Sequence, residues 1–416
     1  MTKEGNKTVM PKLRFLEFRE AEGWDLKHGD ELFDPINNRS PSEALPILAI
    51  TQEHGAIPRD QIDYHVSVTE QSIDSYKVVE KGDFIISLRS FQGGIEYSNY
   101  RGICSPAYVI LRRKGEGSHG YFRHLFKSAR FIQQLTRNIE GLRDGKMISY
   151  KQFSEQRIPV AKPPEQQKIA DCLTSLDELI VAQGGKVEAL KAYKRGLMQQ
   201  LFPSEGEPLP RLRFPEFSNA PEWEPTTLGA LVHLQSGGTP SKANPEFWNG
   251  SIPWVSAKDM KRLILADAED HISAAAVKDG AKLVPVGTVL MLVRGMTLLK
   301  DVPICVLRRE MSFNQDVKAL LPKGEADGLF VALLLLGNKQ RLLRMVDIAG
   351  HGTGKLKTDE LNVLELSTPK PAEQQRIADF LSFFDAQIAI EADKLATLKT
   401  HKDGLMQQLF PSLEEK

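Results

Sequence analysis

The chain is a tandem duplication, and this feature constrains its fold more than any other. The nine residues from Gly196 to Ser204 (GLMQQLFPS) recur letter for letter from Gly404 to Ser412. The segment from Glu165 to Asp171 (EQQKIAD) returns as EQQRIAD at the same offset of 208 residues. Each half also opens alike, because PKLRF from Pro11 is repeated as PRLRF from Pro210. Glu17-Phe18 also returns as Glu216-Phe217. Four matches in one order predict two copies of one fold rather than a chance recurrence of short words.

The middles of the two copies have diverged, with only a weak echo between Gly82 to Arg89 (GDFIISLR) and Gly287 to Arg294 (GTVLMLVR). Apolar, often β-branched runs predict short strands at Phe84 to Leu88, Tyr108 to Leu111 and Thr288 to Val293, with a helical stretch after them. A conserved frame that holds two different inserts is typical of a fixed scaffold with two different readers.

A heptad pattern closes each copy. Apolar residues alternate at spacings of four and three through about five heptads, which predicts a helix–helix seam. The seam positions are Ile169, Leu173, Leu176, Ile180, Gln183, Val187, Leu190, Lys194, Leu197 and Leu201, and in the second copy Ile377, Leu381, Phe384, Ile388, Glu391, Leu395, Leu398, Lys402, Leu405 and Leu409. Prolines bracket both helices. The alternative is that each helix packs onto its own domain.

Polar residues interrupt this seam at matching positions. In an antiparallel pair we hypothesise that Lys194 faces Glu391 and Lys402 faces Gln183, which would fix the register of the two helices. Two adjacent glycines, Gly184 and Gly185, are a candidate break in the first helix, since together they cost about 2 kcal/mol relative to alanine.

The composition is that of a globular protein of two or three domains: 416 residues, 41% hydrophobic, with 54 basic and 54 acidic residues. Met1 to Met10 has no apolar signal core, and the longest apolar run, Leu329 to Leu336, is far shorter than the roughly 20 residues of a membrane span. Cys104, Cys172 and Cys305 are too scattered for a disulfide framework or a zinc cluster. We expect a cytoplasmic protein, and the zero net charge argues against a uniformly basic nucleic-acid binder.

Enzyme motifs are absent or broken. Asn244-Pro245-Glu246-Phe247 has a glutamate where amino-methyltransferases carry a second proline, and no glycine-rich cofactor loop precedes it. Gly350 to Lys355 (GHGTGK) lacks the spacing and the Ser/Thr of a phosphate-binding loop. The nine histidines show no metal-ligand spacing. The sequence predicts no catalytic residue, no cofactor site and no metal site.

From end to end the chain resembles the specificity subunit of type I restriction–modification systems. The resemblance rests on the paired EQQKIA and EQQRIA segments, the GLMQQLFP helix ends and the PKLRF and PRLRF openings. It also rests on Ser236 to Trp254 (SGGTPSKANPEFWNGSIPW), which is similar to a segment of that family's target-recognition domains. Ser105-Pro106-Ala107-Tyr108 and Asn314-Gln315-Asp316 resemble two variants of one core strand. The first copy lacks the Ser-Gly-Gly-Thr-Pro segment.

The resemblance implies an α+β fold in which two target-recognition domains are joined by two long conserved helices. These would form an antiparallel coiled coil, with a pseudo-two-fold internal repeat. The implied segments are 1–163, the N-terminal segment and first target-recognition domain; 164–204, the first conserved helix; 205–371, the second target-recognition domain; and 372–416, the second conserved helix.

The same resemblance implies a non-catalytic subunit, prokaryotic and cytoplasmic, that reads double-stranded DNA. It would dock two modification (methyltransferase) subunits that carry S-adenosylmethionine, and restriction (translocase) subunits using ATP and Mg would join the larger assembly. No cofactor is expected on this chain. Two readers on one face of B-DNA fall about 10 base pairs apart. This predicts a bipartite, asymmetric site with an unread gap of about five to eight base pairs. The alternatives are a stand-alone pseudo-dimeric DNA-binding regulator and an enzyme with an unrecognised site.

Candidate DNA contacts come from local charge. Tyr121 to Lys146 and Leu329 to Lys357 each carry an excess of four positive charges and continue into a glycine-containing loop, whereas Glu17 to Asp34 is acidic and should face away from phosphate. Phosphate contacts set position, and base contacts specify sequence. The residues predicted to hold phosphate are Arg123, Lys127, Arg130 and Lys339. The residues predicted to read bases are Arg89, Ser90, Arg143, Lys146, Lys242, Lys258, Arg294, Lys355 and Lys357. Trp248 and Trp254 are predicted to be core residues.

Overall fold

The chain forms two compact units in a computed structural model that describes residues 8–39, 45–62, 75–88, 90–137, 148–348 and 352–412. Unit 1 comprises Met1–Gly185 and Ala392–Lys416, and unit 2 comprises Lys186–Glu391. Unit 2 is therefore continuous in sequence, whereas unit 1 is assembled from both ends of the chain.

Unit 1 combines short strands with short helices. Its strands are β1 (Thr8–Val9), β2 (Trp24–His28), β3 (Phe33–Ile36), β4 (Leu48–Thr51), β5 (Gly55–Pro58), β6 (Lys77–Val79), β7 (Phe84–Ile86), β8 (Glu96–Tyr97), β9 (Gly102–Cys104), β10 (Val109–Arg113) and β11 (Arg157–Val160). Its short helices are α1 (Gly29–Leu32), α2 (Ser90–Gly93), α3 (His119–Leu125), α4 (Ala129–Arg137) and α5 (Tyr150–Ser154). The sheet orders are β1-β2-β11, β3-β10-β7-β8, β4-β5 and β6-β9.

Unit 2 repeats this plan with longer sheets. Its strands are β12 (Glu224–Thr227), β13 (Val232–Ser236), β14 (Ile252–Val255), β15 (Ile264–Leu265), β16 (Asp270–Ile272), β17 (Leu283–Val284), β18 (Val289–Leu292), β19 (Arg294–Gly295), β20 (Ile304–Leu307), β21 (Met311–Phe313), β22 (Val317–Pro322), β23 (Asp347–Ile348), β24 (Gly354–Lys355) and β25 (Glu365–Thr368). The long helices are α6 (Pro163–Leu201) and α12 (Pro371–Leu409), and the short helices of unit 2 are α7 (Leu228–Leu231), α8 (Ala274–Lys278), α9 (Gly328–Gly337), α10 (Lys339–Arg344) and α11 (Thr358–Asn362). The sheet orders are β12-β25, β13-β22-β18-β20-β15, β16-β14-β21-β17 and β19-β24-β23.

The internal repeat is visible in the strand pairing. In unit 1, β10 lies between β3 and β7, and in unit 2, β22 lies between β13 and β18 in the same antiparallel arrangement. The α+β repeat is thus confirmed. The three predicted strands are confirmed as β7, β10 and β18, and every residue of β7 and β18 is apolar and buried. Trp254 is buried as predicted, at 6% exposure.

The two long helices pack antiparallel within each unit. In unit 1 the Lys402 ammonium lies 2.5 Å from the Asp177 carboxylate. In unit 2 the Lys194 ammonium lies 2.5 Å from the Asp385 carboxylate, and Lys186 pairs with Glu391 at 2.6 Å. The predicted pairing of Lys194 with Glu391 is wrong, because Asp385 lies opposite Lys194 and Glu391 is bound by Lys186. The actual lysine–aspartate pairs occupy equivalent positions in the two copies.

Helix α6 continues without interruption through the two glycines. A methyl group built on Gly185 would meet no atom within 4 Å, and one on Gly184 would meet only Leu395 Cδ2 at 4.0 Å. The hypothesised break is therefore absent, since the helix on either side is held by its own hydrogen bonds and by packing.

The ends of both long helices belong to the unit cores. Ile169 and Leu173, at the start of α6, join the core of unit 1, and Leu409 and Phe410, at the end of α12, join it too. The core of unit 2 likewise includes the end of α6 (197–202) and the start of α12 (377–381). The helix ends pack onto the unit cores, as the alternative predicted, while the middle turns of α6 and α12 pack on each other, as the seam predicted.

An arginine–glutamate–tryptophan clasp explains the repeated words at the two ends of each copy. In unit 1, Arg14 donates to both oxygens of Glu165 at 2.7 Å, and the Trp24 indole donates to Glu165 at 3.0 Å. The Glu165 side chain is 2% exposed. The hydrogen bond that Arg14 donates to Glu165 raises the pKa of Arg14.

Unit 2 contains the same clasp. Arg213 binds Glu373 through bonds of 2.8 and 2.7 Å, and Trp223 donates to Glu373 at 3.3 Å. The arginine comes from the LRF segment and the glutamate from the EQQ segment. The tryptophan is the first residue of β2 in unit 1 and the residue directly before β12 in unit 2. The clasp therefore ties the opening of each copy to the start of its long helix.

Candidate nucleic-acid interface

Two segments of unit 2 that lie far apart in sequence meet at one surface: the Ser-Gly-Gly-Thr-Pro segment (236–240) and the Asn-Gln-Asp turn (314–316). The Gly238 amide donates to the Phe313 carbonyl at 3.0 Å, and the Trp254 indole donates to the Gly238 carbonyl at 3.0 Å. A Cβ on Gly237 would lie 2.3 Å from the Asn314 carbonyl oxygen, so only glycine fits here.

The Asn-Gln-Asp turn is held by its own side chain and by a neighbouring strand. The Asn314 side-chain oxygen accepts from the Asp316 amide at 3.1 Å, which closes an Asx turn. The Asp316 carbonyl accepts from the amides of Val293 and Arg294 at 2.9 and 3.2 Å. These bonds bring Arg294, a predicted base reader, next to the turn.

Arg294 and Lys355 are brought side by side. They are directly paired residues of β19 and β24, so their side chains lie on the same face of this small sheet. Both are exposed, and neither forms a salt bridge with any residue that the structure describes. Met296 and Ile348, beside these strands, are 74% and 70% exposed. Cationic and apolar side chains together suit base edges and thymine methyl groups.

Unit 1 builds the same turn from different residues. The Ser105 hydroxyl accepts from the Ala107 amide at 3.4 Å, and the Ser105 carbonyl accepts from Tyr108 at 3.1 Å. In unit 2, Asn314 accepts the equivalent bonds from Asp316 and Val317. The position between them is Pro106 in unit 1 and Gln315 in unit 2. The turn is therefore shared, while the side chain it presents is not.

Three predicted base readers of unit 1, Arg89, Arg143 and Lys146, lie outside the described residues. The fourth, Ser90, is 1% exposed, and its hydroxyl accepts from the Ser87 amide at 2.8 Å. Because burial keeps this hydroxyl away from any groove, Ser90 is corrected from a base reader to a residue that holds the turn after β7.

Two predicted phosphate contacts in unit 1 have partners inside the protein. Lys127 lies 2.5 Å from Glu96 and donates to the Gly93 carbonyl at 3.0 Å. Burial lowers the pKa of this lysine and raises that of Glu96. Arg130 donates to the Phe410 carbonyl at 2.9 Å, at the end of α12. Both cations bind internal acceptors and thereby stabilise unit 1, and their contacts with phosphate stay predictions.

Arg123 keeps a more open position, half-buried with its guanidinium 5.9 Å from the centre of the Tyr97 ring. Lys242 is exposed in the loop that follows the Ser-Gly-Gly-Thr-Pro segment. Both residues remain predictions as phosphate or base contacts.

The other predicted cations of unit 2 form surface ion pairs. Lys258 lies between Asp270 and Glu269, at 3.0 and 3.2 Å, and the bond with Asp270 raises its pKa. Lys339 pairs with Asp301.

Lys357 pairs with Asp347 at 2.5 Å and with Glu360 at 2.9 Å, and the bond with Asp347 raises its pKa. A DNA phosphate would have to displace these carboxylates from Lys258, Lys339 and Lys357. These three lysines are therefore weaker candidates for DNA contacts than Arg294 and Lys355.

Sequence reasoning missed Thr239 and Gln315 as candidate site residues. Both are exposed, and the Thr239 hydroxyl donates to the side-chain oxygen of Gln315. A search for charge cannot find them, because both are neutral. The available signal was their place inside two segments that had already been singled out as typical of target-recognition domains.

Within the described ranges, no group of three or more His, Cys, Asp or Glu side chains is arranged to hold a metal ion. The described part of the chain also contains no helix that is long and apolar enough to span a membrane.

The family model for the type I restriction modification DNA specificity domain matches residues 22–192 and again residues 221–400. The type I restriction enzyme EcoR124I/EcoR124II specificity subunit of Escherichia coli is 30% identical over 245 residues, which cover 56% of this chain and 56% of that protein. The match thus spans about half of the length of that curated relative.

Two solved structures share the fold. The first is a chain from a solved structure that concerns complex assembly and conformational transition of the type I R-M system. Its TM-score is 0.60 at 19% identity, and the match covers 94% of this chain and 98% of that one. The type I restriction–modification S subunit from M. genitalium has a TM-score of 0.55 at 16% identity, covering 97% and 100%. With two matched copies that follow the internal repeat, the chain belongs to the type I restriction modification DNA specificity domain family.

Proposed function

We propose that the chain is the DNA sequence-recognition subunit of a type I restriction–modification complex and carries no reaction chemistry of its own. Each copy would provide one target-recognition domain that reads one half of an asymmetric bipartite site in double-stranded DNA. The observation that carries this proposal is that both units build the same clasp from repeated residues and the same turn from different residues, so that different side chains are presented at the turn. A protein that reads two different half-sites needs a shared scaffold of this kind.

Unit 2 supports the proposal with a concrete surface. Arg294 and Lys355 are exposed without salt-bridge partners among the described residues, and Arg294 is bonded through its backbone to the Asn-Gln-Asp turn. An arginine or lysine at such a position matches the O6 and N7 acceptors of guanine in the major groove. We therefore retain these two as base readers, together with their sequence counterparts Arg89 and Lys146 in the first copy.

The partners follow from the family. Two modification subunits would carry S-adenosylmethionine and methylate adenine, and restriction subunits would use ATP and Mg where they are present. In our proposal the long helices dock the modification subunits, because these helices expose large apolar side chains. Those side chains are Leu179, Val181 and Tyr193 on α6, and Phe383 and Ile390 on α12.

Co-expression tests the proposal directly. The full chain, produced with its modification subunit, should copurify with two copies of it and should confer adenine methylation at one bipartite sequence. Sequencing the modified bases returns both half-sites. A chain that copurifies with no methyltransferase and binds its bipartite site tightly alone would instead be a stand-alone regulator.

The gap between the half-sites is a separate prediction. One heptad added to each long helix lengthens it by about 10 Å, equivalent to about three base pairs. Because the two lysine–aspartate pairs fix the register, both helices must receive the insertion. The methylated motif should then keep both half-sites and gain about three unread base pairs. A change in the bases read, with the gap unchanged, would contradict the role of the helices as a spacer.

A further inference from the structure

Gln315 is an exposed amide on a turn whose backbone is fixed on both sides. The Asn314 amide donates to the Val255 carbonyl of β14 at 2.9 Å, and the Asp316 carbonyl receives the two amides at the start of β19. The Asx turn closes the segment between them. A side chain on so constrained a backbone loses little conformational freedom when it binds a partner.

Thr239 orients this amide. Its hydroxyl donates to Gln315 Oε1, which leaves one lone pair on that oxygen and both hydrogens on Nε2. The threonine is itself held in place, because the amide of the preceding residue, Gly238, donates to the Phe313 carbonyl. The result is a fixed acceptor next to a fixed donor, facing solvent.

The chemistry of this pair selects its partner. Adenine presents an N6 amino donor beside the N7 acceptor in the major groove, and a glutamine amide matches both at once. A phosphate is a poorer partner, because the adjacent Asp316 carboxylate would repel it. A base edge is therefore favoured over the DNA backbone.

We propose that Gln315 reads one adenine in the half-site recognised by unit 2, with Thr239 as the residue that positions its amide. The inference rests on the proposed function and goes beyond it by assigning one base to one side chain. It applies to unit 2 alone, since unit 1 carries Pro106 on the equivalent turn and has no amide there.

The test uses the full chain co-expressed with its modification subunit, with the methylated motif read by sequencing. Gln315→Ala should abolish the preference at one position of one half-site, reducing discrimination there by about 5- to 150-fold. Gln315→Glu should shift the preference at that position to cytosine, whose N4 amino group donates to a carboxylate. The other half-site should be unchanged. Gln340→Ala, which removes an exposed amide on α10 of the same unit, is the matched control and should leave the whole motif intact.

Thr239 provides a second readout. Thr239→Val removes the hydroxyl while keeping the side-chain shape, so it should weaken discrimination at the same position, and Thr239→Ser should restore it. Binding of the purified complex to a site with 7-deazaadenine at that position isolates the N7 contact. This substitution should weaken wild-type binding but should not further weaken binding by the Gln315→Ala complex.

The outcomes separate the two proposals. If the wild-type complex methylates no bipartite motif, the proposed function fails. If it does methylate one, and Gln315→Ala leaves that motif unchanged or alters both half-sites, the assignment of adenine to Gln315 is overturned while the proposed function stands. The deazaadenine measurement decides the same point even if the alanine variant gives too little methylated DNA to sequence.

Discussion

At the scale of single residues, the clasp carboxylates Glu165 and Glu373 are the most consequential buried charges. Each is almost fully removed from water, at 2% and 3% side-chain exposure, and each is held by a two-pronged arginine contact. A buried carboxylate is tolerated only when its charge and its lone pairs are satisfied. The repeated arginine, tryptophan and glutamate therefore form one physical unit rather than three independent matches.

Breaking one clasp should destabilise only its own unit. Arg14→Met leaves Glu165 buried without its counter-charge, which should cost about 3 kcal/mol of unfolding free energy. Arg14→Met combined with Glu165→Gln should recover part of that loss, because no buried charge remains. Hydrogen exchange of unit 1 and unit 2 peptides in the full chain measures both effects. Lys168→Met, which removes the exposed contacts of the lysine with Glu17 and with the Phe15 ring, is the control and should change little. Equal loosening of both units would contradict this local role.

His124 gives unit 1 a sensitivity to acid. It is 2% exposed, its Nε2 lies 3.2 Å from the Thr174 hydroxyl, and burial lowers its pKa to about 4. Asp177, 3.8 Å away, favours the charged ring, while Lys402 and Arg123 oppose it, and burial prevails. The unfolded chain, with a histidine pKa of about 6.5, binds the proton more readily than the folded chain between these two values. Stability should therefore be retained above pH 6.5 and fall as the pH drops toward 4.

The variant that checks this is His124→Gln, which keeps a polar partner for Thr174 but cannot titrate. Urea unfolding of unit 1 at pH 5 and pH 7 should show a smaller difference between the two pH values in the variant than in the wild type. His54→Gln, at an exposed histidine, is the matched control. An identical pH dependence in wild type and His124→Gln would remove His124 as the cause.

At the scale of elements, the register of the long helices depends on two equivalent lysine–aspartate pairs. Lys194–Asp385 in unit 2 has side-chain exposures of 12% and 32%, and Lys402–Asp177 in unit 1 has 21% and 28%. Half-burial strengthens these contacts relative to pairs in open water. Their equivalence means that one register satisfies both pairs.

A charge swap tests this. Lys194→Asp alone places two carboxylates together and should destabilise the helix pair of unit 2, whereas Lys194→Asp with Asp385→Lys should restore most of the loss. The coupling energy should be about 0.5–3 kcal/mol, the range for residues in direct contact. Thermal unfolding of the four chains in this double-mutant cycle measures it. A coupling near zero would show that apolar seam residues alone determine the register.

The elements also show what the sequence could predict. The repeat, the seam and the central strands follow from periodicity and from repeated words, which are local properties of the chain. The partner of Lys194 did not follow, because the heptad pattern permits several registers and only the aspartates between seam positions distinguish them. The site was predicted in part: Arg294 and Lys355 were found as charges, but their pairing across β19 and β24 depends on contacts between distant segments. Thr239 and Gln315 needed the fold, since their significance comes from one hydrogen bond between two loops.

At the scale of the whole molecule, the structure shows how the equal numbers of basic and acidic residues are used. Several cations that seemed available to DNA are paired within the chain, among them Lys127 with Glu96 and Lys357 with Asp347 and Glu360. Of the four predicted phosphate contacts, Lys127, Arg130 and Lys339 bind acceptors within the chain. We infer that partner subunits provide many of the contacts with the DNA phosphates.

Salt dependence measures this division. The isolated chain should show a shallow slope of log affinity against log salt concentration, corresponding to few neutralised phosphates, and the complex with its modification subunits should show a steeper slope. Binding of a fluorescent duplex between about 50 and 200 mM salt covers the useful range. Equal slopes for the chain and the complex would assign the backbone contacts to this chain instead.

The discontinuous make-up of unit 1 has a consequence for how the protein emerges from the ribosome. Unit 2 is complete once Glu391 has been made, but the core of unit 1 also requires Met406, Leu409 and Phe410 near the end of the chain. At about 5–20 residues per second, the 206 residues between the two parts of unit 1 take on the order of ten seconds or more to synthesise. Throughout that time the first 185 residues wait with part of their apolar surface uncovered. The half of the protein that is translated first is therefore the last to finish folding, and it is the half that most needs chaperone protection.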